Sequence, residues 1–598
     1  MVFIRKLGFA LVATVIAASW SADAAGCKYN NGFVCPQETP CCSPHGHCGN
    51  SPLACGAGCD ASASFKGVCE RYTVAAAGGK PKPVPSLPKG SFKVVGDTGV
   101  AAQHIALVSP TKMLILDKAE NNPAKLPDGT AAYNVEYDLT TNQYRVLEVQ
   151  TNTFCSGGGF LPNGTLISGG GAEARLTHTF KTGTGFQSLR MWEPCEDASC
   201  NWIENPQDPM WQMTGNRWYV SFTTLPTGEL FILGGSNESL AINREATNNP
   251  TFELYPKPAG YQPVVLQFMI DAMPYNLYPN VYSLSDGNIY IFANQKSMIY
   301  NVQRQEVIKS LPDIPGGARS YPLTGSHVLL PLDPAKNYAH EILVCGGSEA
   351  WSTRARAIQS CGRINLNDAD PQWEMDQMPT PRLMSDAVIL ADGKIMLLNG
   401  AQVGYAGFLR ASDPIYTPVV YDPEAPLGQR WTEWVPSNIA RMYHSVAMLL
   451  PDGTVFVAGS NQNSEVRFEN VPFPTEYRVE SFTPPYLTTD LPRPEILSEI
   501  PAQLKYDQEF EVTIDVKDTE RYEPDITFMF GRRGFVTHST HMSQRMTKLV
   551  AKKVSEEGTK ITYTVSSPPT ANLMPPGPHY IHVLNNGVPS HADYLILN

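Results

Sequence analysis

Apolar residues in this chain come in short runs broken by polar-glycine turns, and one unit keeps returning. In Leu161-Pro162-Asn163-Gly164-Thr165-Leu166-Ile167-Ser168-Gly169-Gly170-Gly171 a turn leads into an apolar strand that ends in glycines. Leu225-Pro226-Thr227-Gly228-Glu229-Leu230-Phe231-Ile232-Leu233-Gly234-Gly235-Ser236 repeats it, and further turns fall at Asp286-Gly287, Asp392-Gly393 and Asp452-Gly453. Gly164, Gly228 and Gly287 are 64 and 59 residues apart, and Gly393 and Gly453 are 60 apart. The 106 residues from Gly287 to Gly393 hold one more copy with a longer turn, His327–Ser348, and a degenerate first copy fits His104–Asp117. A hairpin recurring at this period marks a β-propeller blade, so seven copies predict seven blades over residues 91–480. The glycine pairs allow close packing near a central channel where a side chain would not fit.

The repeat stops near residue 480, at Val479-Glu480-Ser481-Phe482-Thr483-Pro484-Pro485-Tyr486-Leu487. Beyond it, Phe510–Val516 and Ile561–Val565 alternate in the manner of strands, with turn signals about every ten residues. That pattern predicts an immunoglobulin-like sandwich over 481–598. The fold class is therefore all-β, as 47 glycines and 50 prolines also require, since turns in that number argue against a helical bundle.

Charge narrows the partners. Charged residues make up 17% and the net charge is −12, a balance that argues against a nucleic-acid binder, which needs basic surface to displace counterions from phosphates. Residues 1–25 read as a secretory signal: Arg5 and Lys6, an apolar run from Leu7 to Trp20, then Ala22-Asp23-Ala24 as the cleavage site. No later stretch is apolar enough to span a bilayer, so a secreted or cell-wall-associated protein is expected. Asn163 and Asn237 begin candidate glycan acceptor triplets. Residues 71–90, with Ala75-Ala76-Ala77-Gly78-Gly79 and Lys80-Pro81-Lys82-Pro83, read as a linker.

Eight of the 13 cysteines lie in residues 26–70: Cys27, Cys35, Cys41, Cys42, Cys48, Cys55, Cys59 and Cys69. So small a module needs disulfides in place of a core. Its Cys35…Cys41-Cys42-Ser43…Gly46-His47-Cys48…Cys55 order resembles the hevein-type chitin-binding module, which implies chitin or a wall polysaccharide as a partner. His45, His47 and Ala54 occupy the loop where that family carries stacking aromatics, so weak binding is expected. Of the other five cysteines, Cys195 with Cys200 and Cys345 with Cys361 can close local disulfides, which leaves Cys155 alone.

Four motifs carry candidate chemistry: Phe154-Cys155-Ser156-Gly157-Gly158, Arg217-Trp218-Tyr219, Arg441-Met442-Tyr443-His444-Ser445 and Val536-Thr537-His538-Ser539-Thr540-His541. Three of them precede a blade strand and so face one end of the propeller. With the kelch-like repeat, the Pro-Pro-Tyr transition and the C-terminal sandwich, they resemble the galactose oxidase / glyoxal oxidase family of copper-radical oxidases. That resemblance implies one copper ion. Tyr219 would be its radical-bearing ligand, joined by a thioether to Cys155. Tyr443 would be the axial ligand and proton acceptor, and His444 and His538 the equatorial ligands. Two imidazoles with phenolates and a solvent position form the tetragonal N,O set that Cu(II) favours. His541 competes with His538; in the family the ligand stands six residues before the Gln of a Gln-Arg pair, here Gln544-Arg545, which selects His538.

The glyoxal oxidase branch fits better. Galactose oxidases carry a tryptophan after Gly-Gly-Ser, stacked on the thioether, whereas Gly234-Gly235-Ser236 is followed by Asn237. The resemblance implies oxidation of small aldehydes, through their hydrates, to carboxylic acids with reduction of O2 to H2O2, so peroxide-using enzymes are natural neighbours. A primary alcohol or galactose 6-oxidase on the same site is the enzymatic alternative, and a non-catalytic wall scaffold is the other.

Overall fold

In a computed structural model of the chain, the described residues are 41–42, 48–49 and 90–598, apart from 178–180, 196, 240 and 259. Met1–Pro81 and Lys82–Asn598 form two units. In the first, Cys41–Cys42 pairs antiparallel with Cys48–Gly49. The signal segment, the remaining cysteines of the module and the linker up to residue 89 lie outside the described residues.

Among the described residues, seven sheets of three or more strands succeed one another between Ser91 and Thr483, beside two two-stranded ribbons. The inner strand is buried along its whole length in six of the seven, as at Gly157–Phe160, Ser221–Thr224, Asn280–Ser283 and Asp386–Ile389. Outer strands are exposed, as at Gln143–Val146 and Glu306–Leu311. This gradient fits sheets set side by side around an axis. Inner strands of neighbouring sheets touch, as Gly157–Phe160 does Ser221–Thr224 and Asp386–Ile389 does Ser445–Leu449. Gly164, Gly228, Gly287, Gly393 and Gly453 all hold φ between 82° and 90°, which explains why the inner turns require glycine. The last sheet is closed by the first strand: Ser91–Asp97 pairs with Arg478–Thr483. That strand runs three residues past the expected end at 480, because its pairing with Ser91 and Phe92 continues to Thr483. Tyr486 of the Pro-Pro-Tyr transition is buried and donates to the Gly453 carbonyl, which ties the crossing to an inner turn.

The C-terminal region forms two packed sheets. One orders Glu495–Ile496, Glu509–Asp515, Lys560–Ser566 and Ala551–Glu557; the other is built on Ile526–Arg532, Gly577–Asn585 and Asp593–Leu597. Phe510, Val512, Phe528, Phe530, Ile581 and Val583 fill the space between them. One hairpin, Phe535–Thr537 with Thr540–Met542, leaves this sandwich and pairs with His104–Ala106 of the first propeller sheet. Its second strand touches the inner strands of the second to sixth sheets, so it lies along the propeller axis. Gln544 anchors it by accepting from the Ile389 amide and donating to the Ala387 carbonyl, and Arg545 by donating to the Ser283 carbonyl.

Cys345 and Cys361 are joined across directly paired strands, and Cys195 and Cys200 within a loop. Cys155 is free and fully buried. Asn163 is exposed in its turn, whereas the amide nitrogen of the half-buried Asn237 donates to the Asn248 carbonyl.

Candidate metal centre and active site

The propeller delivers side chains to its axis from the one or two residues that precede an inner strand. Cys155, Tyr219 and Tyr278 stand two residues before the strands at Gly157, Ser221 and Asn280, and His444 stands one before Ser445. All four hold left-handed φ, between 47° and 66°. Non-glycine residues rarely adopt that conformation, and bulky ones there gather at functional sites. His538 and Ser539, with φ of 47° and 63°, form the two-residue turn of the axial hairpin, the type that needs positive φ at both positions. His538 is therefore carried on a turn and not on a strand. His541 belongs to the return strand and donates through Nε2 to the Arg533 carbonyl, away from the other site residues.

The structure brings Cys155, Tyr219, Tyr443, His444 and His538 together in one buried cluster. Sγ of Cys155 and one nitrogen from each histidine lie within 4.8 Å of one another. His444 Nδ1 is 3.1 Å from the Asn461 carbonyl, which can only accept, so the proton is on Nδ1 and the Nε2 lone pair is free. His538 Nδ1 is 2.6 Å from Thr537 Oγ1 and its Nε2 is 3.4 Å from Cys155 Sγ. Burial first, and then the neighbouring histidine, holds His444 well below the usual imidazole range, and burial first does the same for His538. Both are neutral, the form that binds metal.

Three phenols close the other side. The hydroxyls of Tyr219, Tyr321 and Tyr443 form a triangle: Tyr219–Tyr321 at 2.8 Å, Tyr321–Tyr443 at 2.9 Å and Tyr219–Tyr443 at 3.2 Å. Burial raises Tyr219 and Tyr443 well above the ordinary phenol value, and it does the same to the Cys155 thiol. Only a nearby cation would ionise these groups in so dry a place.

Gln103 tests whether a cation suits the cluster. Its Nε2 donates to His444 Nε2 at 3.0 Å and lies 3.4 Å from His538 Nε2, while its buried Oε1 has no partner. An N–H donor thus sits between the two imidazole Nε2 atoms, where a Lewis acid would stand. Two neutral imidazoles and two phenols supply the mixed N,O donors that suit Cu(II). The residues present fit a copper ion.

A cavity of about 450 Å³ opens onto Tyr219, Tyr321 and Tyr443. Phe154, Trp218, Trp351, Tyr405 and Phe408 give it aromatic walls on several sides, and the charged Lys118, Glu173, Arg175 and Arg410 also line it. Phe408, from the loop between Ala401–Gly404 and Ala411–Pro414, stands edge-on to Tyr443 and His444. Trp218 covers Tyr219 with ring centroids 4.4 Å apart and is itself packed by Phe154. Sequence reasoning missed Gln103, Tyr278 and Tyr321 and read no role for Trp218. Tyr278 could have been found from the repeat, because it holds the register of Cys155 and Tyr219.

Two buried ion pairs back the site. Arg217, two residues before Tyr219, bonds Glu253 at 2.9 Å and the Gly234 carbonyl. Arg441, two before Tyr443, bonds Glu480 at 2.9 Å and the Gly459 carbonyl. The repeated Arg-x-aromatic pattern thus clamps each glycine turn against the residue it presents.

Residues 110–486 match the glyoxal oxidase N-terminus family, and residues 493–596 match the galactose oxidase-like early set domain. The chain is 37% identical over 487 residues to the aldehyde oxidase GLOX1 of Arabidopsis thaliana, covering 78% of this chain and 74% of that protein. It is 34% identical over 531 residues to the aldehyde oxidase GLOX of Vitis pseudoreticulata, covering 84% and 96%. A solved structure described as a novel fungal alcohol oxidase of the AA5 family, in complex with copper, superposes with a TM-score of 0.65 at 21% identity; it covers 85% of this chain and 99% of that one, and so shares its fold. A family match spanning most of the propeller, with plant relatives above 30% identity over most of their length, places this chain in the galactose oxidase / glyoxal oxidase family of copper-radical oxidases, on its glyoxal oxidase branch.

Proposed function

We propose that the protein oxidises aldehydes, through their hydrates, to carboxylic acids and passes the electrons to O2 to give H2O2. One observation carries this reading: two neutral imidazoles, two phenols and the unpaired Cys155 converge in one buried cluster at the floor of an aromatic cavity. His444 and His538 would hold copper through Nε2, with Tyr219 and Tyr443 as the oxygen donors. A bound copper ion would supply one-electron chemistry and a Lewis-acidic position, and hand electrons on to dioxygen.

The remaining work falls to side chains. Tyr443 borders the cavity, so its oxygen can take the hydroxyl proton of the hydrate. Tyr219, oxidised to a radical, takes the carbon-bound hydrogen. Cys155 lies beside it, since the Tyr219 amide donates to the Cys155 carbonyl at 3.0 Å. A thioether to the ring would donate electron density and ease its oxidation. Phe154, Trp218 and Phe408 keep water from the radical.

A second reading, a primary alcohol oxidase, is favoured by the size of the cavity, since 450 Å³ far exceeds a two-carbon hydrate. Secretion and wall attachment through the N-terminal module accord with the basic-apolar start of the chain and its cysteine spacing.

The test is copper-loaded protein given a panel of small aldehydes, primary alcohols and galactose, with peroxide as the readout. Aldehydes should give the highest kcat/KM, and a digest should contain Cys155 and Tyr219 peptides joined with the loss of two hydrogens. Fully active protein whose Cys155 is still open to alkylation would refute the site assignment. Turnover confined to alcohols would move the reading to the second.

A further inference from the structure

Tyr321 has no part in the mechanism above, yet it makes the tightest contacts to the proposed radical residue. Its ring stacks on Tyr219 with centroids 4.3 Å apart and planes 28° apart. Its hydroxyl is 2.8 Å from the Tyr219 oxygen and 2.9 Å from that of Tyr443. It is buried and held in place: Leu277 and Tyr321 form a β-bridge, and the Ala406 amide donates to the Pro322 carbonyl next in the chain.

We infer that Tyr321 is a positioning residue that sets the redox potential of Tyr219, by stacking on its ring and donating a hydrogen bond to its oxygen. The inference rests on the proposed function, in which Tyr219 bears the radical. Beside Trp218 it adds a second aromatic cover to Tyr219, where Asn237 follows Gly234-Gly235-Ser236 in place of a tryptophan. The two contacts act in opposite directions. A hydrogen bond to the phenolate oxygen is charge-assisted and weakens when the ring loses an electron, so it favours the reduced form. An electron-rich ring stacked face to face favours the electron-poor radical. Tyr219 loses one electron in the step, and a one-electron oxidant such as hexacyanoferrate(III) takes it and becomes hexacyanoferrate(II). Phenylalanine at 321 keeps the stack and deletes the hydrogen bond; leucine deletes both.

The experiment is a redox titration of copper-loaded wild type, Tyr321→Phe and Tyr321→Leu with the hexacyanoferrate couple. Radical is followed by its visible and near-infrared absorption, and copper content and thermal unfolding are recorded alongside. Tyr321→Phe should reach half-oxidation at an oxidant-to-reductant ratio about tenfold lower than wild type, or about 59 mV for one electron. Tyr321→Leu should move back upward from the phenylalanine variant. Both should keep wild-type copper content, which separates tuning from a structural defect. A Tyr321→Phe midpoint equal to or above that of wild type overturns the inference and leaves the proposed function standing. Absence of any copper-dependent radical in wild type removes both.

Discussion

The glycine run Gly157-Gly158-Gly159 puts the seating of His538 to a sharp test. On this inner strand the glycines alternate in direction. A Cβ at Gly158 would lie 2.5 Å from Cδ2 and 2.7 Å from Cε2 of Phe535, on the hairpin that carries His538. A Cβ at Gly159 would meet Leu230 Cδ2 at 2.9 Å, the far end of a flexible side chain, and nothing else nearer than 3.6 Å. Neither glycine has a left-handed φ, so only space distinguishes the two substitutions. Carbon atoms settle at about 3.5–4.0 Å, so Gly158→Ala must drive Phe535 back by about 1 Å. That ring is fully buried, and the hairpin is wedged between inner strands, so the shift passes to His538 three residues on. Overpacking of this kind costs about 1–3 kcal/mol of stability, and a 1 Å error at a reacting centre costs about 100-fold in rate. Gly158→Ala should therefore fold, lose most copper affinity and turn over about 100-fold more slowly, whereas Gly159→Ala should stay within a few-fold of wild type. Copper titration, peroxide release and thermal unfolding of the two variants measure this. Equal activity in both would refute the idea that the axial hairpin is held in place by a lack of room at Gly158.

Two further outcomes concern the framework. Glu480→Gln leaves Arg441 buried without its counter-charge and should cost roughly 3–5 kcal/mol in denaturant unfolding; a loss under about 1 kcal/mol would mean that the carbonyls around Arg441 suffice. Burial pushes the carboxyl of Asp386 up to about 8 against an ordinary 3.8, so the folded protein holds a proton there that the unfolded chain releases. Its contribution to stability is complete below about pH 4 and is lost as pH rises toward 8. Between pH 5 and 7, metal-free wild type should lose about 3 kcal/mol relative to Asp386→Asn, and parallel pH profiles for the two would contradict the shift.

The inner hairpins were legible because their chemistry is narrow. A turn with φ near 85° selects glycine, and the second strand of the hairpin, buried on both faces as at Leu230–Leu233 and Ile395–Leu398, reads as a continuous apolar run. Outer strands such as Glu306–Leu311 are solvent-facing and variable in pattern, so their sequence carries little signal. The closing strand was also hidden, because Ser91–Asp97 pairs with a segment nearly four hundred residues away. At the site, Cys155 was legible from cysteine arithmetic and the histidines from their motifs. Tyr278, although in the register of Cys155 and Tyr219, and Tyr321 were passed over, because a buried tyrosine in a β protein usually serves only the core. Their roles depend on which end of the sheet they stand at. Tyr278 shows that register, since its hydroxyl donates to the Ser156 carbonyl and its ring packs on Tyr219 and His538.

The conformation of these residues links the repeat to the chemistry. Holding an L-residue in the left-handed region costs about 1–2 kcal/mol, and Cys155, Tyr219, Tyr278, His444 and His538 all sit there. Met384 holds the same position before the sixth sheet, so the geometry belongs to the propeller and not to the metal centre. A repeated contact holds the glycine turns: Arg217, Arg319 and Arg441 each donate to a carbonyl of the turn beside them, at Gly234, Gly346 and Gly459, although of the residues two further on only Tyr219 is left-handed. Each clamp lies two residues before the side chain it supports, within the same turn of backbone. A propeller that can hold such a residue before five of its seven inner strands can bring donors to its axis from sheets far apart in sequence. The axis is then completed only by a part that no sheet can supply, the turn at His538, which is why the C-terminal sandwich must reach into the channel.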